Sequence, residues 1–115
     1  MQASKARRTM DQTIAPPVIK HSVAVDFGVI ELTGTLQHAD AQRSLVLLTD
    51  EAPERISVNL EAYGLVAGPG RVFIKDWSEH AGLAERLQEA GLVRIMRSVT
   101  VGPFASTAHE VEVTL

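Results

Sequence analysis

Cysteine is absent from this 115-residue chain. That excludes a disulfide framework and thiolate metal sites, and it fits a reducing compartment. Aromatic side chains are scarce at one Trp, one Tyr and three Phe, too few to build stacking platforms for single-stranded nucleic acid. Long apolar runs are missing as well. The longest aliphatic stretch is Leu45 to Leu48, far short of the ~20 residues of a membrane-spanning helix. No apolar stretch follows the basic residues near the N-terminus, so a secretory signal is not expected and the cytoplasm is the expected location.

Excess positive charge is also lacking. The formal net charge is -3, and it is unevenly placed. Lys5, Arg7, Arg8 and Lys20 face only Asp11 in the first twenty residues, while residues 21–115 hold seven basic and thirteen acidic side chains. Double-stranded DNA binding needs a broad cationic face to displace counterions. An acidic body disfavours that role and suits a partner with a basic surface.

What is present is ordinary globular composition, 45% hydrophobic and 22% charged, in a length that fits one domain. Folding at this size buries roughly two-thirds of the exposed surface of the unfolded chain. Residues 1–17 are polar, aperiodic and closed by Pro16-Pro17, and they read as a flexible basic arm; Met10 is a second candidate start. Residues 18–115 read as a single α+β domain.

Period-two patterning dominates from Val18. Ile19, Val23, Val25 and Phe27 share one face of a first strand, and Ile30, Leu32, Gly34 and Leu36 one face of a second. Ser44–Thr49 is aliphatic enough to be covered on both faces. Ile56, Val58 and Leu60 alternate with Arg55, Ser57 and Asn59 in a fourth strand, and Arg71–Lys75 forms a fifth. Leu83, Leu87 and Ala90, flanked by Ala84, make the stripe of one amphipathic helix that Asp76 or Ser78 caps and Gly91 ends. Val93, Ile95, Val99 and Val101 follow on one face, with Arg97 marking a bulge or a division. His109, Val111, Val113 and Leu115 close the chain on an inward face. The expected architecture is a mostly antiparallel sheet of six or seven strands, β-β-β-β-β-α-β-β, with the helix packed on it.

No motif announces catalysis. Asp76, Ser78 and His80 are of the types a triad uses, but residues two apart at a helix entrance point apart; capping explains them better. His21, His38, His80 and His109 have no metal-ligand spacing, so no metal or cofactor is expected. Gly68-Pro69-Gly70-Arg71 lacks the lysine and the helix of a phosphate loop, and Asp26-Phe27-Gly28 stands without the rest of a kinase. Trp77 either plugs the end of the core or serves as a binding anchor. The expected contact surface is the helix and its entrance: Asp76, Trp77, Glu79, His80, Glu85 and Glu89.

The segment Val72-Phe73-Ile74-Lys75-Asp76-Trp77-Ser78-Glu79-His80-Ala81-Gly82-Leu83, with Asn59-Leu60 before it and Ala90-Gly91 after, resembles small uncharacterised proteins of phages and plasmids. The likeness runs over about residues 59–115 and departs from the family's Asn-Glu at His80-Ala81. It implies an accessory protein of a mobile element and carries no catalytic residues. The function it favours is a non-enzymatic inhibitor of a host defence or nucleic-acid-handling complex, in the manner of an anti-CRISPR protein. Two alternatives stand beside it: a homodimer paired through the edge of the final strand, and a small enzyme whose site is assembled from several strands.

Overall fold

The computed structural model describes residues 16–115; residues 1–15, with most of the expected arm and Met10, lie outside it. Seven strands and one α-helix are present among the described residues: β1 (Val18–Asp26), β2 (Glu31–Ala39), β3 (Ser44–Leu48), β4 (Pro53–Arg55), β5 (Arg71–Lys75), α1 (Leu83–Glu89), β6 (Val93–Val101) and β7 (Ser106–Val113). All named pairings are antiparallel. The strands divide into two sheets, β1-β2-β3-β4 and β5-β7-β6, where a single sheet was expected.

The division follows from the segment after β4. The sequence alternates there as though a strand ran to Leu60, yet β4 ends at Arg55. Ile56 and Ser57 both donate their amides to Leu45 O, and Ser57 Oγ accepts from Leu45 N at 2.9 Å. Ser57, expected outward, is thereby buried. Val58 then donates to Phe73 O in the second sheet at 2.9 Å. A strap between the sheets replaces the long fourth strand.

The main core lies between the sheets and α1. Val25, Leu36, Leu45 and Leu47 come from one side, Val72, Ile74, Val93 and Val111 from the other, and Leu83 and Leu87 from the helix. Each such aliphatic contributes about 1.5–3 kcal/mol on burial. A second cluster covers the opposite face of the second sheet: Leu60, Ala67, Phe73, Val101 and Ala108, with Val58, Leu65, Trp77 and Val99 against it. Among the described residues only the second sheet is covered on both faces. β3 is therefore half-exposed at Leu48, against the expectation of a doubly buried strand.

Irregularities redirect whole faces. Ser22 sits at φ 58 where the β1 register shifts, so Ile19 is 50% exposed while Val25 is buried. Gly34 is indispensable for close approach, since a Cβ there would stand 2.1 Å from Leu48 O. The β6 register shifts between Ile95 and Arg97, leaving Met96 as the extra residue. That bulge sends Val93 and Ile95 to the main core and Val99 and Val101 to the second cluster. The four valine and isoleucine residues read as one face thus lie on two.

The helix is shorter than its pattern. Ser78–His80 forms a separate 3-10 turn, Gly82 at φ 76 is the N-cap of α1, and no side chain caps it. Ser78 makes no cap; Asp76 Oδ1 instead accepts from Gly82 N at 2.7 Å. At the other end Leu92 N reaches Leu87 O and Gly91 N reaches Gln88 O, the double bond pattern of a glycine stop. Strand β7 is central, with β5 and β6 occupying its two edges. The final strand cannot pair with a second copy.

Candidate functional site

A cleft of about 460 Å³ opens where four segments meet. The β1–β2 hairpin supplies Phe27, Val29, Ile30 and Leu32, and β4 with the strap supplies Glu54, Arg55, Ser57 and Val58. Lys75 at the end of β5 and Glu79 and His80 in the following turn complete it. Local chemistry holds the hairpin in place. Asp26 Oδ1 accepts from Gly28 N at 2.7 Å, Phe27 N donates to Ile30 O at 2.9 Å, and Arg86 Nε reaches across from α1 to Asp26 O at 2.9 Å. Val29 is consequently presented 96% exposed, with Ile30 54% exposed beside it.

The charged residues lining the cleft are Glu54, Arg55, Lys75 and Glu79; Lys75 pairs with Glu79, and neither Glu54 nor Arg55 has an ion pair among the described residues. Arg43, Arg71, Lys75, Arg86, Arg94 and Arg97 each form an ion pair with a carboxylate. Glu31, Asp50, Glu51 and Glu54, by contrast, have no ion pair among the described residues. Of these four only Glu54 lines the cleft.

His80 is buried against Phe27, ring centroids 6.2 Å apart, and its Nδ1 has no hydrogen-bond partner. Burial pushes its pKa below the ordinary histidine value, Glu79 and Glu54 pulling upward and Lys75 downward. The shift favours the neutral ring. Glu79 is held below the usual carboxylate range by its own backbone amide and by Lys75, whose Nζ lies 3.0 Å away.

The six residues expected to form one surface are dispersed. Glu79 and His80 line the cleft. Asp76 is spent inside: Oδ1 on Gly82 N, Oδ2 at 3.1 Å from His109 Nε2. The Gly82 amide above all, then His109 and Arg86, outweigh burial and lower its pKa. Trp77 is half-buried against the second cluster, under Lys75 Nζ at 5.7 Å from its ring centroid. Glu85 and Glu89 are exposed on α1 and do not line the cleft.

Ser78 and His80 do not join Asp76 in a triad. The partner of Asp76 is His109, whose Nδ1 lies 2.8 Å from Ser98 Oγ. This chain of three crosses β6, β7 and the end of β5, and sequence spacing gave no sign of it. The hairpin lip was also missed, although two aliphatics inside a turn, Val29-Ile30, were its visible signal.

Among the described residues no group of three His, Cys, Asp or Glu stands close enough to hold a metal ion, and no helix is long and apolar enough to cross a membrane. Compared with known proteins, the chain matches no family model, no curated protein and no solved structure.

Proposed function

We propose that this domain binds a protein with a basic surface, and that the partner docks on the cleft and its apolar lip. The observation that carries this reading is Val29, 96% exposed next to Ile30 at the mouth of the cleft, on a body whose residues 21–115 hold thirteen acidic and seven basic side chains. Exposed apolar residues ringed by charge are the anatomy of an interface core and rim. The carboxylates steer a basic partner, and the aliphatics hold it. The likeness of residues 72–83 to proteins of phages and plasmids supports a host defence or nucleic-acid-handling complex as the partner, met in the cytoplasm, with inhibition by occupancy as the mechanism.

The test is photo-crosslinking from position 29 in host lysate, with capture repeated for Val29→Glu and for Glu85→Lys/Glu89→Lys. One dominant adduct, lost in Val29→Glu and weakened by salt, is the expected result. Equal recovery by Val29→Glu removes the cleft as the contact surface. If only the helix variant loses the partner, contact moves to α1.

A second reading rests on β1. It is a nine-residue edge strand with Val18 and Ile19 each 50% exposed, and such an edge is a template for pairing with another copy. Sedimentation over a range of concentrations separates the two, because a monomer at every concentration eliminates the homodimer.

A further inference from the structure

The geometry points to a second site, in which Ser98 is a nucleophile toward activated acyl esters, His109 its base and Asp76 the group that orients the base. The chain of contacts fixes the roles. A carboxylate only accepts, so the 3.1 Å contact between His109 Nε2 and Asp76 Oδ2 places the ring proton on Nε2. In the neutral ring Nδ1 is then a lone pair, and the hydroxyl of Ser98, 2.8 Å away, donates to it. Nucleophile to base and base to orienting acid are the two distances a base-activated serine requires. The ring nitrogens exchange places relative to the familiar serine hydrolases, with the acid here on Nε2 and the hydroxyl on Nδ1.

The surroundings suit the chemistry. His109 is 9% exposed, whereas Ser98 is open to solvent. Asp76 is held by its second oxygen on Gly82 N, so the carboxylate that positions the imidazole is itself fixed. The bulge at Met96 is what brings Ser98 to the face of His109; without the extra residue it would point to the other side of the sheet. Thr100, exposed, and Thr107 pair directly on that same face beyond Ser98. Among the described residues β6 has one strand neighbour, so alternate amides along its outer edge are directed away from β7; that of Ile95 is taken by Gln88 Oε1 at 2.8 Å, and those nearer Ser98 are the donors assigned to the developing oxyanion.

In the reaction, Ser98 Oγ bonds to the ester carbonyl carbon as its proton passes to His109 Nδ1. The C–O bond to the alcohol then breaks, and the departing oxygen takes that proton. Water attacks the acyl-serine by the same route, its proton moving through Nδ1 to Ser98 Oγ, and the carboxylic acid is released.

The experiment is labelling of the full chain with a fluorophosphonate, with the adduct mapped by mass spectrometry. Here the P–F bond breaks, a P–O bond to Ser98 forms, and the proton leaves with fluoride. The expected adduct is on Ser98, absent after denaturation in urea and in Ser98→Ala, and slowed on the order of 10²-fold in His109→Gln. Imidazole ¹⁵N shifts should report the Nε2–H form in the native protein and lose that signature in Asp76→Asn. No adduct on Ser98, or equal labelling of native and denatured chain, overturns the assignment even if every variant is unstable. Labelling of Ser98 at the wild-type rate in a folded His109→Gln overturns the role of the base.

Discussion

His109 Nε2 lies 3.1 Å from Asp76 Oδ2, so the central strand of the second sheet is tied directly to the residue that organises the entrance of the helix. Because the other Asp76 oxygen accepts from Gly82 N at 2.7 Å, removing the carboxylate frees a ring nitrogen and a backbone amide together. Asp76→Ala is expected to lower the unfolding free energy by about 1.5–3 kcal/mol, the range for hydrogen bonds to charged groups. Urea denaturation followed by circular dichroism measures it; a loss below about 0.5 kcal/mol would show that the tie is idle.

Glu110 presents a different case, a carboxylate 3% exposed on the face of β7 that meets the second cluster. Burial raises its pKa, but the Gly68 amide at 2.8 Å and the guanidinium groups of Arg97 and Arg71 outweigh it, and the net shift is downward. A folded pKa below the unfolded one contributes stability that is complete above the unfolded value and is lost as pH falls through the folded one. Glu110→Gln should therefore destabilise at neutral pH by about 2–3 kcal/mol and flatten the acid limb of the stability curve below about pH 4.5. Urea melts at pH 3 and pH 7 decide this.

Histidines set the next step of the pH curve. Burial lowers the pKa of His80 and of His38, whose Nε2 also lacks a hydrogen-bond partner; Asp40, with Oδ1 3.9 Å from that nitrogen, pulls His38 upward without outweighing burial. Both rings fold neutral. Their contribution is present above the unfolded histidine value of about 6.5 and shrinks as pH drops below it, since the unfolded chain takes up protons first. Thermal melts should show lower stability at pH 5.5 than at pH 7.5. His80→Leu, which removes an unsatisfied buried nitrogen, should narrow that gap and leave neutral stability unchanged or raised by about 1 kcal/mol.

Gly34 tests the packing of β2 on β3. With a Cβ at 2.1 Å from Leu48 O and 2.9 Å from Leu48 C, Gly34→Ala forces two backbones apart. The expected cost is about 3 kcal/mol, the upper range for overpacking. Hydrogen exchange should show faster opening in β2 and β3 than in β7.

Val29→Glu should behave in the opposite way. Its side chain is almost wholly exposed, so stability should stay within about 0.5 kcal/mol while capture of the partner is lost. A variant that unfolds would show that the lip belongs to the core and not to an interface.

The alternating runs at Val23–Val25, Arg71–Lys75 and Val111–Val113 and the stripe Leu83–Leu87 were enough to announce antiparallel strands and one helix, because side-chain period is a local property of the backbone. Composition likewise determined the acidic body. What the pattern could not show was which face each strand presents after an irregularity, since one added residue inverts every side chain beyond it. Met96 is such a residue. It sends Val99 to the second cluster and brings Ser98 to His109, across a separation of eleven positions. The split into two sheets, decided by Leu45 O accepting two amides, and the cleft at Val29 also arise from contacts between distant segments. Local periodicity determined the elements; long-range hydrogen bonding and packing decided their partners, because those energies exist only once the chain has closed on itself.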